Sequence, residues 1–241
     1  MYHQVLKSTN GKYTVTPTQL ESDFRAILDA GFTPVFMSEV INWVDGKGSL
    51  PAKPIVITFD DGNYNNIFYG LPIAKELGVK FMINPVTSFS QHSVDHKDTE
   101  NPNYSHIAWW NMKDAHDTGL VEFGNHTHKM HKFRPRFGIS KIAGENDDEY
   151  RTALNTDIEE AQSLLEKCGL PRPLTFAYPF GKYSTEARDH LVEMGFRAML
   201  TCNEHITTIK KGDPTSLYTL GRYNRDGAWS TNTLMQKIKT D

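Results

Sequence analysis

Short apolar runs alternate with longer stretches of helical periodicity along this chain. After Thr16-Pro17-Thr18-Gln19, apolar Leu20, Phe24, Ile27 and Leu28 fall on one helical face. Thr16 reads as the N-cap, Pro17 as the first helical residue and Gln19 as the closing member of a capping box, with Gly31 ending the helix. Val35-Phe36 predicts a short strand, and Ser38 the cap of a second helix that stops near Gly46. Ile55–Phe59 reads as a strand, 66–76 as a helix stopped by Gly78, and Lys80–Ile83 as the next strand. Helix Met112–Thr118 leads to a strand at Val121-Glu122-Phe123. A strong amphipathic helix follows at Glu149–Lys167, its stripe made of Ala153, Leu154, Ile158, Ala161, Leu164 and Leu165. Leu174–Tyr178, Ala198–Thr201 and Tyr218–Gly221 complete the strands, with helices at Thr185–Met194 and Thr231–Lys239. Two polar stretches, Ser88–Ser105 and Arg134–Asp148, read as loops long enough to carry function.

This alternation argues for an α/β fold of parallel units rather than an all-β one. No internal repeat or linker divides the 241 residues, so residues 1–241 read as one domain, a distorted (β/α) barrel of about seven strands. An apolar content of 38% is enough for a core. The net charge of −3, with no block of Lys and Arg, gives no reason to expect nucleic acid as a partner. No apolar run reaches the ~20 residues of a transmembrane helix. Met1-Tyr2-His3-Gln4 shows no secretory leader, so the chain is cytoplasmic or begins after a removed signal or anchor. Cys168 and Cys202 lack metal-type spacing and read as two thiols.

Chemistry concentrates at strand ends, where β/α barrels place it. Asp60 and Asp61 stand side by side after Ile55-Val56-Ile57-Thr58-Phe59. Adjacent carboxylates at the mouth of a buried strand repel each other and resist desolvation, unless a cation neutralises one or the two share a proton. Asn125-His126-Thr127-His128-Lys129-Met130-His131 supplies imidazoles, and one Asp with two His is a common hydrolytic zinc set. On a strand His126 and His128 would share a side, and on a helix His128 and His131 would. His126 and His131 could meet one metal only on a loop curling around it. The plain alternatives are an Asp-Gly turn and a solvated histidine loop.

Thr58-Phe59-Asp60-Asp61-Gly62, His126-Thr127…His131 and Tyr178-Pro179-Phe180-Gly181 together resemble the polysaccharide deacetylases of carbohydrate esterase family 4. The resemblance covers nearly the whole chain. The five-residue histidine spacing is similar to that of the branch containing the biofilm poly-N-acetylglucosamine deacetylases, whose barrel strands are circularly permuted. It implies that Asp61, His126 and His131 bind a divalent metal, zinc first and Co, Ni or Fe as alternatives, with Asp60 as general base. His128 is then a bystander or a support for a ligand. The opening Tyr2-His3 pair implies His3 as general acid, and Phe180 implies a backbone N–H for the oxyanion. The third motif of the family commonly begins with an Arg that orients the base, but Ala177 stands there; Arg222, from another strand end, is the expected replacement.

The resemblance thus implies hydrolysis of N-acetyl groups on an N-acetylglucosamine-containing glycan, in a bacterial envelope or extracellular setting. A base and an acid acting together imply a bell-shaped pH dependence. Tyr64, Trp109, Trp110, Tyr178 and Phe180 could stack on sugar faces. Three alternatives stand beside this reading: an O-acetyl esterase on xylan or a related glycan, an impaired homologue that only binds glycan, and a 2-His-1-carboxylate iron oxygenase, which leaves Asp60 without a role.

Overall fold

The computed structural model describes residues 1–8 and 11–239. In chain order the elements are β1 (Gln4–Val5), β2 (Thr14–Val15), α1 (Pro17–Asp29), β3 (Thr33–Pro34), α2 (Met37–Val44), β4 (Pro54–Ile55), β5 (Thr58–Asp61), α3 (Leu71–Leu77), β6 (Phe81–Pro85), α4 (Thr87–Asp95), α5 (Trp109–Asp117), β7 (Val121–Phe123), α6 (Asp147–Lys167), β8 (Thr175–Ala177), α7 (Thr185–Glu193), β9 (Ala198–Leu200) and α8 (Thr231–Lys239). Every ladder is parallel, as expected of strands joined by helices. The strands form four ladders, β1-β2, β3-β4, β5-β6-β7 and β8-β9, and no closed barrel is formed by them. Isolated bridges link Tyr2 to Phe59, Asn125 to Phe176 and Leu200 to Leu220.

Local chemistry explains most boundaries. Thr16 and Gln19 form the capping box of α1, and Asn146 and Glu149 form that of α6. Gly78, left-handed at φ 67°, closes α3, which continues a π-helical turn at Asn66–Gly70. Phe59 and Phe81 pack edge to face, 5.2 Å apart, in the main core, where α1 lies against α3 and α8.

Four expectations are corrected, and one stretch without a predicted element gains strands. Ser38 does not cap α2; the helix starts at Met37, and the Glu122 carboxylate of β7 accepts the Met37 and Ser38 N–H groups. The run 55–59 is not one strand, because Ile55 pairs with Pro34 while Thr58 and Phe59 pair with β6. The stretch 88–105 holds α4, whose buried positions Thr87, Ser90 and Ser93 are polar and give no apolar stripe. Tyr218–Gly221 is no strand: a 3₁₀ turn at Pro214–Leu217 leads to the single bridge at Leu220. The opening residues form strands, since Tyr2 lies buried along β5, stacked on Phe59 at 5.0 Å, and β1 and β2 follow.

Candidate metal centre

Asp60 and Asp61 end β5, whose register on β6 sets Asp60 beside Asn84 and Asp61 beside Pro85. Asp60 is 2% exposed. Arg222 meets it with two parallel bonds, Nη1 to Oδ1 and Nη2 to Oδ2, both 2.8 Å. The same guanidinium donates to the Thr201 carbonyl and to Thr58 Oγ1, so its orientation is fixed. Asn84 adds a third bond to Asp60 Oδ1 at 2.8 Å. Burial alone would raise the Asp60 pKa, but the Arg222 guanidinium overrides it and holds the carboxyl well below the usual carboxylate range. Asp60 is therefore a buried, ionised carboxylate of fixed orientation.

Asp61 turns away from β5 with a left-handed backbone, φ 72°. Gly62 follows at φ 74°, where a Cβ would lie 2.7 Å from Pro85 Cβ, so this turn requires glycine. Just past the end of β7, the Asn125 N–H donates to the Thr175 carbonyl of β8, and the Asn125 side chain accepts the Thr127 N–H. Thr127 sits at φ 74°, a conformation that a β-branched residue rarely adopts. The chain then curls. Asp157 of α6 accepts the His128 and Lys129 N–H groups, and buried Met130 anchors the loop in the core. His126 and His131 are thereby brought together, with ring centroids 4.8 Å apart and planes tilted by 54°. His128 points elsewhere, 2.9 Å from Thr87 Oγ1.

Among the described residues, Asp61, His126 and His131 are the one group of three whose ligand atoms converge, all within 4.8 Å of one another. His126 Nε2 and His131 Nε2 lie 3.7 and 3.5 Å from Asp61 Oδ1. His126 Nδ1 is 2.7 Å from the Ala177 carbonyl, which places the proton on Nδ1 and leaves the Nε2 lone pair facing Asp61. Asp61 Oδ1 is buried with no hydrogen-bond partner. Burial, with the Asp60 charge beside it, pushes Asp61 up to about 7. Burial also lowers both imidazoles, His126 to about 3. Ligand atoms that converge without a hydrogen bond between them, one of them a carboxylate oxygen left without a partner, match what a divalent cation requires. The donor set fits a metal.

His3 reaches the same place along a different path. Tyr2 N–H donates to the Thr58 carbonyl and Asp60 N–H to the Tyr2 carbonyl, so the opening segment runs parallel to β5 and sets His3 next to the acids. Its Nδ1 is buried without a partner, and burial lowers its pKa to about 4. Phe180 lies in a turn after β8 with φ 58°. Three of the four described non-glycine residues with positive φ, Asp61, Thr127 and Phe180, therefore belong to this one site. Backbone strain of this kind concentrates where function demands it.

A cleft of about 900 Å³ is lined by His3, Asp60, Asp61, His126, His131 and Phe180 together. Tyr178 and Phe180 border it, whereas Tyr64, Trp109 and Trp110 do not. A second, apolar cavity of about 340 Å³ has no carboxylate in its lining, and the polar cleft is the one with a reactive cluster. Asn84, Asp157 and the loop phenylalanines Phe133 and Phe137 had no sequence motif to mark them.

Known proteins share sequence and fold with this chain. The curated relatives include the poly-beta-1,6-N-acetyl-D-glucosamine N-deacetylases of Staphylococcus aureus (strain MRSA252) and Staphylococcus epidermidis. They are 24% and 25% identical over 202 residues, covering 83% and 81% of this chain. The chain spans 65% and 64% of their lengths, just under two thirds. Among solved structures, the de-N-acetylase from Aggregatibacter actinomycetemcomitans superposes with a TM-score of 0.79 at 22% identity, covering 98% of this chain and 97% of that one. The Streptococcus pyogenes deacetylase PplD gives 0.77 at 19%, covering 99% and 96%. These structures share the fold. The polysaccharide deacetylase model itself matches residues 47–199, well over half of the sequence, with Asp60, Asp61, His126, His131 and Phe180 inside the matched span, and the chain belongs to the polysaccharide deacetylase family.

Proposed function

We propose that this chain is a metal-dependent hydrolase that removes N-acetyl groups from an N-acetylglucosamine-containing glycan and releases acetate. The observation that carries this reading is the pairing of an Arg222-locked, ionised Asp60 with the converging Asp61, His126 and His131. A simple metal store has no use for the extra carboxylate. The names of the curated relatives, which are N-deacetylases of poly-β-1,6-N-acetyl-D-glucosamine, support the same substrate class. We place that glycan outside the cytoplasm, in the extracellular space or cell envelope. Residues 1–241 act as one catalytic domain, and the four ladders, joined by their bridges, are segments of a single distorted barrel.

Asp61, His126 and His131 would hold the ion, zinc by preference, although the same donors suit Co, Ni or Fe. When bound, such an ion polarises a carbonyl and brings the pKa of water toward ~7. Asp60, already ionised, takes a proton from the attacking water through a carboxylate oxygen. The Phe180 N–H donates to the oxygen that becomes negative as the C–O bond forms. His3 then delivers a proton to the nitrogen as the C–N bond breaks, giving acetate and a free amine. Burial leaves His3 neutral in the free protein at neutral pH, so it takes this proton from solvent in the open cleft as negative charge gathers beside it. The acid therefore shapes the profile of kcat rather than of the free protein.

Ala177 in place of Arg and the lack of the family's usual C-terminal His motif suggested an impaired, merely glycan-binding homologue; Arg222 supplies the missing charge from another element and answers the first of these. The ester alternative uses the same geometry. Acetate release from N-acetylglucosamine oligomers and from O-acetylated xylan, measured side by side, separates the two. Faster release from the amide supports N-deacetylation, and release from the ester alone would replace it.

A further inference from the structure

Phe133 is 68% exposed, the most exposed large apolar side chain among the described residues, and it lines the catalytic cleft. It does not dangle. Phe133 stacks on Phe180 with centroids 4.5 Å apart and planes at 20°, and Phe137 packs on Phe180 at 4.9 Å and 15°. Phe180 in turn lies 4.5 Å from the ligand ring of His131. An aromatic run thus leads from the candidate metal site outward to solvent.

The loop carrying these rings is pinned from below. Buried Arg136 donates to the Ser140 carbonyl and pairs with Glu145, Gly138 N–H donates to the Lys132 carbonyl, and Tyr150 donates to the Ile139 carbonyl. Gly138 lies so close to Pro179 that a Cβ would be 3.1 Å from its carbonyl oxygen. A large apolar ring held in the open by a fixed loop keeps its hydration cost without burying its area, which points to a ligand that covers it. The other rings bordering the cleft are committed elsewhere: Tyr178 is fully buried, and Tyr13 packs edge-on to His3.

We propose that Phe133, backed by Phe137, forms a subsite for a second sugar unit, stacking on the apolar C–H face of the N-acetylglucosamine next to the one that reacts. A pyranose ring presents such a face, and a fixed aromatic binds it at low entropic cost. This rests on the glycan deacetylase reading above and adds that the cleft recognises a stretch of polymer rather than one sugar.

The test uses the zinc-loaded protein and its Phe133→Ala, Phe137→Ala and Phe133→Trp variants, with the N-acetylglucosamine pentasaccharide and the N-acetylglucosamine monosaccharide as probes. Affinity of an Asp60→Asn background for the pentasaccharide is read by calorimetry, and acetate release is read on both substrates. The ratio of pentasaccharide to monosaccharide kcat/KM should fall by roughly threefold to tenfold in Phe133→Ala, through KM, with the same loss of affinity and recovery in Phe133→Trp. Tyr104→Ala, an exposed aromatic off the cleft, should leave the ratio unchanged. Unaltered affinity and ratio in Phe133→Ala would overturn the subsite. So would a parallel loss on both substrates with a lower melting temperature, which would make the ring structural. Pentasaccharide binding that depends on Phe133, with no acetate released by any metal form, would uphold the subsite and remove the deacetylase reading instead.

Discussion

Asp60 and Arg222 are 162 positions apart in sequence, yet form a bidentate pair with 2% and 7% of their side chains exposed. Removing one partner of such a pair leaves the other buried and uncompensated, at a cost of about 3–5 kcal/mol. Arg222→Met should therefore lower the melting temperature and abolish most acetate release, because Asp60 loses the charge that keeps it ionised. Arg222→Lys keeps charge but not the fork, and should recover stability better than rate. A differential melt beside kcat measurements checks both. The histidines give a sharper contrast: His126→Ala should lose stoichiometric zinc, whereas His128→Ala should retain it, since His128 bonds Thr87 instead. The acids and histidines were legible as motifs because their neighbours in sequence are their neighbours in the site. Arg222 was legible only as a gap at Ala177 that something had to fill. Asn84 was invisible, as a lone amide inside the strand Phe81–Pro85.

At the scale of elements, α6 does more than cover the sheet. Its Asp157 accepts two N–H groups of the histidine loop, which fixes the spacing between His126 and His131. Asp157→Ala should weaken zinc affinity by about 10–100-fold with the ligands untouched, as measured by competition with a chelator. Asn146→Ala removes the helix cap and should cost about 1 kcal/mol of stability, read from urea unfolding, without changing affinity for zinc. Periodicity located α1, α6 and α8 because each has a clear apolar stripe or a recognisable cap. It missed α4, whose buried face is Thr87, Ser90 and Ser93, and it misplaced the cap of α2, which comes from Glu122 in a distant strand. Long-range caps leave no local trace in sequence.

Across the whole molecule, the opening segment is tied in at several points. Tyr2, Arg225 and Thr231 all donate to the buried carboxylate of Asp23 on α1, joining the start of the chain to α8. This network holds Tyr2 against Phe59 and so sets His3 beside Asp60. The family match begins at residue 47 and ends at 199, so His3 and Arg222, both outside it, are placed by tertiary contacts rather than by the matched motifs. Acid sensitivity is also a property of the whole fold. Burial lowers His106 to about 4, against 6.5 for the free side chain, so the unfolded chain binds more protons between these values. Stability is fully present above pH ~6.5 and should fall as pH drops toward ~4. His106→Gln should flatten that part of a stability-versus-pH curve from denaturant melts.

The central claim is that Asp60 works as a base beside an ion held by Asp61, His126 and His131. Acetate release from N-acetylglucosamine oligomers by metal-stripped protein, re-loaded with zinc, cobalt or nickel and compared with Asp60→Asn, tests it most directly. The account predicts release only after metal is restored, and almost none from the mutant although it binds zinc with the same stoichiometry. Metal-independent release, or an Asp60→Asn protein as active as the parent, would contradict it.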